Sequence, residues 1–197
     1  MSWANPGPVN PRCCLSWEPW NAPTSGRFTV DGIEVYGLTQ EKQADFRREF
    51  LGFIFQSFHL VSYLTVFENV MLPLTIIKAS RKHKRSPVED ALSQVGLLDK
   101  ADRLPNQISG GEKERVAIAR AIVNEPPVLL ADEPTGNLDS KTSAEIMKLL
   151  QRLNADGMTI IMVTHSPEFA GYARRIMQVS DGKLLADGEM PESVAVN

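Results

Sequence analysis

Val128 to Asp132 read VLLAD, and Glu133 and Pro134 follow. An apolar run that ends in adjacent carboxylates, closed by a proline that cannot continue a strand ladder, puts Asp132 and Glu133 at the mouth of a sheet. A carboxylate there can ligate Mg²⁺ while a second orients or deprotonates an attacking water, the pairing that phosphoryl transfer uses. The same residues also read as the start of a solvated loop, and alone the pair does not decide between the two. Gln56 and His165 hold equivalent places, after LGFIF and TIIMVT. In open α/β sheets ligands gather beyond the carboxyl ends of the strands, so each is a candidate site residue, or else a plain polar residue at a strand end. Ser109, Gly110, Gly111 and Glu112 open an amphipathic run, SGGEKERVAIARAIVN. Bare glycine backbone at a helix N-terminus suits an anion, because unpaired N–H groups and the helix dipole both point at it; a simple helix cap is the alternative.

The elements that must carry these residues alternate. RFTV and IEVYG flank Asp31-Gly32 and predict a hairpin. Thr39 is placed to cap a helix through EKQADFRREF, and Leu51 to Phe55 read as a buried strand ending at Gln56. VFENVMLPL predicts a helix, and PVEDALSQVGLL a second one, started by Ser86-Pro87 and closed near Gly96. VLLAD and Thr159 to Thr164 are expected as buried strands, with the helix SAEIMKLLQRLN between them. A last hairpin is expected around Asp181-Gly182, and Val194 to Asn197 as a frayed tail. Strands alternating with helices predict an α/β fold, its sheet mostly parallel and flanked by helices.

Composition narrows the class. The 197 residues, 43% hydrophobic and 23% charged, suit one soluble globular domain. A net charge of −3 gives no support to nucleic-acid binding. The run RKHKR, Arg81 to Arg85, reads as a solvated loop or helix start. Cys13 and Cys14 are the only cysteines and are adjacent, which leaves no disulfide framework or zinc spacing and fits a reducing compartment. No apolar run has transmembrane length and no signal peptide is evident, so the expectation is a cytoplasmic protein that meets a membrane through a partner.

ISGGE, VLLADEPTGNLDS and TIIMVTHS occur in that order and at compatible distances. Together they resemble the nucleotide-binding domain of ATP-binding cassette (ABC) transporters, over nearly all of the chain from Pro23 to Gly188. With FQSFHLVSYLTVFENVMLPL, the likeness is to the branch of lipoprotein-release, macrolide-export and cell-division ATPases. The resemblance implies a P-loop NTPase-like α/β fold, with a helical subdomain at about residues 57–125 that carries the signature motif. It implies ATP and Mg²⁺ as ligands, a second ATP-binding subunit in a homodimer, an integral membrane permease as partner, and a place on the cytoplasmic face of the membrane. It gives Asp132 the Mg²⁺, Glu133 the role of general base, and Gln56 the reach to Mg²⁺ and the water. Ser109, Gly110, Gly111 and Glu112 become the signature motif that meets the γ-phosphate on the opposite subunit. Asp139 becomes the residue that crosses the dimer interface, beside its reading as a cap for the helix from Ser140, and His165 the switch histidine. Phe58 to Leu74 becomes the docking stretch. A non-hydrolysing docking module and a soluble ABC ATPase of DNA repair or translation are the competing classes.

One expected part is missing. Nowhere does the chain contain G-x-x-x-x-G-K-[ST], whose backbone N–H groups, lysine and hydroxyl hold phosphates and Mg²⁺. Residues 1–22 show no helical or strand period and stand where that loop belongs. If the same nucleotides are read from the third base of each codon, Trp3-Ala4 must give glycine, Cys13-Cys14 leucine, Trp17-Glu18 glycine and Trp20-Asn21 glutamate. The other positions permit G-x-S-G-S-G-K-S-T-L-L, with lysine from Val9-Asn10, running on into Pro23-Thr24-Ser25-Gly26. The expectation is that residues 1–22 are an out-of-frame rendering of the phosphate loop, and that 23–197 are an N-terminally truncated ABC domain.

Overall fold

A computed structural model of the chain describes residues 26–30, 32–76, 81–180 and 183–189. The described residues of Met1–Phe46 and Val163–Asn197 form one compact unit, and Arg47–Met162 the other.

In the first unit RFTV and IEVYG make the expected hairpin. β1 (Thr29–Val30) pairs antiparallel with β2 (Ile33–Glu34), Val30 opposite Ile33. Gly32 takes the left-handed conformation, φ +77°, that such a tight turn demands. The second arm is shorter than expected, because Val35–Gly37 close into a 3₁₀ turn. Thr39 caps as expected: its Oγ1 accepts the Lys42 N–H at 3.4 Å at the start of α1 (Gln40–Phe50). Near the other end of the chain, β6 (Arg175–Ser180) and β7 (Lys183–Glu189) form the expected antiparallel hairpin. Its tip, Asp181-Gly182, and the tail from Val194 lie outside the described residues, as do Cys13 and Cys14.

The second unit holds a sheet in the order β3-β4-β5, made of β3 (Leu51–Ile54), β4 (Val128–Asp132) and β5 (Thr159–Val163). β3 and β4 run parallel, in register from Leu51 opposite Val128 to Ile54 opposite Ala131. Leu129, Leu130 and Ala131 are buried, as a strand covered on both faces requires. β5 departs from expectation. It is no buried strand: Ile161 is 52% exposed, whereas β3 at the other end of the described sheet is buried under α4.

Between β3 and β4 the described chain is helical. α2 (Val66–Met71) runs on as a 3₁₀ turn over Leu72–Ile76, where Pro73 breaks the α-type ladder. α3 (Arg81–Gln94) begins earlier than the Ser86-Pro87 signal predicts, so RKHKR belongs to the helix and Pro87 lies inside it. Pairs spaced four residues apart bridge the proline: Arg85 meets Glu89 at 2.7 Å, and Ser86 Oγ donates to Asp90 at 3.3 Å. The helix closes where expected, with Gly96 at φ +73° and the Leu97 N–H donating to the Leu92 carbonyl at 2.8 Å.

α4 (Gly110–Ile122) and α5 (Ser140–Ala155) supply most of the remaining core. Val116, Ile118 and Ile146 are fully buried, each contributing roughly 1.5–3 kcal/mol by leaving water. α4 lies close on β3: a Cβ at Gly52 would strike the Ala121 carbonyl oxygen and come within 2.9 Å of Leu129. Only glycine lets α4 seat at that depth, and its seating fixes where the N-terminus of α4 stands.

Candidate active site

The β3–β4 register decides the first part of the site. Ile54 and Ala131 are the last paired residues, so Phe55 and Gln56 continue beside Asp132 and Glu133 at the carboxyl edge of the sheet. Glu133 is 9% exposed and adopts φ 48°, a strained backbone for a residue with a side chain. The strain turns the chain back on itself, so that the Gly136 N–H donates to the Glu133 carbonyl at 2.9 Å. Gly136 in turn faces Gln56: a Cβ there would sit 3.1 Å from Gln56 Nε2 and 3.3 Å from the Glu133 oxygen. Asn137 Nδ2 donates to the Gln56 carbonyl at 2.7 Å and ties the turn to the end of β3. Gln56 and the Glu133 backbone thus meet at this turn, with Gly136 and Asn137 as partners that sequence reasoning missed.

The second part is the start of α4. Ser109 is the N-cap, and with Glu112 it forms a reciprocal capping box: Ser109 N–H donates to Glu112 Oε2 at 2.7 Å and Glu112 N–H to Ser109 Oγ at 3.3 Å. These bonds, from Ser109 above all, hold the Glu112 carboxyl below its usual range, helped by Lys100 at 3.1 Å. The box leaves Gly110 and Gly111 to present their backbone at the helix tip. Gly111 lies against Thr142, where a Cβ would strike the threonine methyl, and Gly110 lies 3.5 Å from Leu138 on the same measure. Asp139 caps α5, its Oδ1 accepting the Thr142 N–H at 3.0 Å and its Oδ2 the Thr142 hydroxyl at 2.6 Å. The hydroxyl bond first and the backbone bond second lower the Asp139 pKa. The starts of α4 and α5 therefore stand side by side, and Ser109 to Glu112 and Asp139 share one edge of the unit.

His165 is exposed and belongs to the other unit, in the bend between β5 and α6 (Pro167–Ala170), where the Ser166 N–H donates to Thr164 Oγ1 at 3.1 Å. An open cleft of about 370 Å³ lies beside Gln56, lined by Ser57, Phe58, His59, Leu60, Pro105, Lys113 and Asn137.

Sheet, carboxylate edge and capped glycine helix define the class, and known proteins agree. The sequence profile of the ABC transporter family matches residues 19–136. The chain is 46% identical over 165 residues to YvrO of Bacillus subtilis (strain 168), an uncharacterized ABC transporter ATP-binding protein, over 84% of this chain and 72% of that one. It is 43% identical over 175 residues to the macrolide export ATP-binding/permease protein MacB of Burkholderia pseudomallei (strain 1710b), over 89% of this chain and 27% of that one. Among solved structures, the dimeric post-hydrolysis state of the ATP-binding cassette MJ0796, bound to ADP and Pi, superposes with a TM-score of 0.74 at 40% identity, over 86% of this chain and 75% of that one. CbiO1 from Clostridium perfringens, part of the ABC transporter complex cbiONQ, gives 0.81 at 30% identity, over 90% and 71%. The chain belongs to the ABC transporter family, as an ATP-binding subunit with the P-loop NTPase-like α/β fold of its cassettes. Hydrolysis of ATP coupled to transport is the activity of that family.

Proposed function

We propose that the chain is the ATP-hydrolysing subunit of an exporter, paired as a homodimer and driving an integral membrane permease of the lipoprotein-release or macrolide-export type from the cytoplasmic face. The observation that carries the reading is the turn after β4, where Gly136 faces both the Gln56 amide and the Glu133 carbonyl. No helix among the described residues is long and apolar enough to cross a membrane.

Bound Mg²⁺-ATP supplies the phosphoryl group and the cation that spreads its developing charge. The donor set fits the cation: Asp132 offers a carboxylate and Gln56 an amide oxygen. No cluster of three or more His, Cys, Asp or Glu side chains that could hold a metal is found among the described residues. Mg²⁺ shared between one or two carboxylates and substrate phosphates needs none. Glu133 accepts the proton of the attacking water or orients it. Gly110 and Gly111 offer N–H groups to the γ-phosphate held on the second subunit, Ser109 and Glu112 keep that helix tip in shape, and Asp139 reaches across the interface. His165 steadies the γ-phosphate.

On the phosphate side the residues do not fit, since the G-x-x-x-x-G-K-[ST] string is absent. The second reading, a permease-docking module without turnover, rests on that absence. Steady-state Mg²⁺-ATPase assays on the chain and on Glu133→Gln separate the readings. The hydrolytic reading expects kcat to fall at least about 100-fold in the variant. Equal rates in the two would leave only docking.

A further inference from the structure

The segment after β3 is irregular, yet both of its ends are held by side chains from elsewhere. Arg120, in the last turn of α4, donates from Nη1 to the His59 carbonyl at 2.6 Å and from Nη2 to the Phe58 carbonyl at 2.8 Å. For adjacent carbonyls to face one guanidinium the chain must kink, and His59 does so at φ 47°, a conformation that residues with side chains adopt at a cost. The planar fork of arginine suits this two-acceptor geometry in a way that lysine does not. Burial lowers the Arg120 pKa from its usual value, opposed in part by Glu114 on the same helix once that carboxyl is ionised. At the other end Asn137, from the turn that carries Glu133, holds the Gln56 carbonyl at 2.7 Å. Between these anchors the Gln56 amide lies against Gly136, 3.1 Å from where a Cβ would stand.

We propose that Arg120 and Asn137 are positioning residues for Gln56: from the signature helix and from the Glu133 turn they fix the backbone of Gln56 to His59, so that the Gln56 amide stays over Glu133 and Gly136. The inference rests on the reading of Gln56 and Glu133 as hydrolytic residues. Hydrogen–deuterium exchange on the full chain tests the clamp itself, comparing the parent with Arg120→Ala, Arg120→Lys and Asn137→Ala. Arg115→Ala is the control, since Arg115 braces the Val95 carbonyl instead, at 3.2 Å. Exchange of a peptide over residues 56–61 should rise about tenfold in both alanine variants, rise less in Arg120→Lys, and stay unchanged in Arg115→Ala, with α5 peptides unaffected in the Arg120 variants. Partial rescue by lysine marks a lost donor rather than lost packing. Mg²⁺-ATP turnover, measured with the phosphate loop restored in frame, then tests the link to Gln56: kcat should fall about tenfold in Arg120→Ala with KM within about twofold, because the ground-state contacts remain. Unchanged exchange at 56–61 overturns the clamp. Raised exchange with unchanged kcat, where Glu133→Gln abolishes turnover, overturns its role in positioning Gln56. A parent chain without turnover even when its loop is restored in frame overturns the hydrolytic reading, and with it that role, while the exchange result still decides the clamp.

Discussion

Glu114 sets a pH dependence of its own from within the core. It lies on the face of α4 shared by Ala117, Ile118, Ala121 and Ile122, is 1% exposed, and its Oε1 has no hydrogen-bond partner. Burial pushes its carboxyl up to about 8, against a partial pull downward from Arg120. In the unfolded chain the group loses its proton near pH 4.5, whereas in the fold it keeps it to about 8. The folded state therefore binds the extra proton, and stability falls as pH rises through that window. Glu114→Gln removes the titration. Thermal melts should show the variant gaining on the parent from about pH 4.5 upward, by on the order of a few kcal/mol near pH 8, and levelling above it. Parallel melting curves across that range would refute the account. The acid pair Asp132-Glu133 was legible because an apolar run stops at it. Glu114 was not, since SGGEKER reads as the polar start of a helix. Its spacing four residues before Ile118, on the apolar stripe, was the signal available. Arg120 and Asn137 act on backbone carbonyls far away in sequence, for which no spacing rule exists.

At the scale of elements, α2 depends on a local network rather than on length. Thr65 and Glu68 form a capping box, with the Thr65 N–H donating to Glu68 Oε2 at 2.9 Å. Asn69, fully buried, accepts the Val61 N–H at 2.8 Å and donates to the carbonyls of Val61, Leu64 and Thr65. One side chain thus shapes the turn that leads from the Gln56 segment into the helix. Asn69→Ala should cost about 2–4 kcal/mol in urea denaturation, because several buried backbone groups lose their partner at once. Ser109→Ala, which loses a single cap contact at the surface, should cost about 1 kcal/mol. If the two cost the same, the Asn69 network is not what holds the turn. The contrast also explains which elements could be read from sequence. α4 and β4 carry strong periodicity and hydrophobicity, and their observed bounds follow the pattern. The start of α3 was misplaced because Ser-Pro is a good helix opening, whereas here pairs across Pro87 carry the helix through it. β5 has a run of apolar residues much like that of β4. What differs is its neighbours, which a local pattern does not contain.

At the scale of the whole molecule, the question is what would complete the proposed phosphate site, since the carboxylate edge of the sheet and the capped start of α4 are in place without it. Phosphoryl transfer is catalysed almost wholly by positioning and charge neutralisation, so a chain without the loop lysine and hydroxyl lacks the larger part of its grip on the β- and γ-phosphates. Residues that remain, Asp132, Glu133 and Gln56, carry net negative charge toward a polyanion and do not replace that grip. We propose that residues 1–22 render the loop in the wrong frame, and the forced translations at Trp3-Ala4, Cys13-Cys14, Trp17-Glu18 and Trp20-Asn21 all agree with it. Sequencing the gene across the codons for Met1 to Gly26 gives the first test: a stop in the shifted frame, or no lysine codon at Val9-Asn10, ends the idea. Calorimetric titration with Mg²⁺-ATP gives the second. A frame-corrected chain should bind at least about 100-fold more tightly than the chain as given, the size of effect expected when a few charge-assisted hydrogen bonds to phosphate are restored. Equal affinity would mean that this chain holds the phosphates through residues other than those of the family's loop, and would sink the account of residues 1–22 as a lost one.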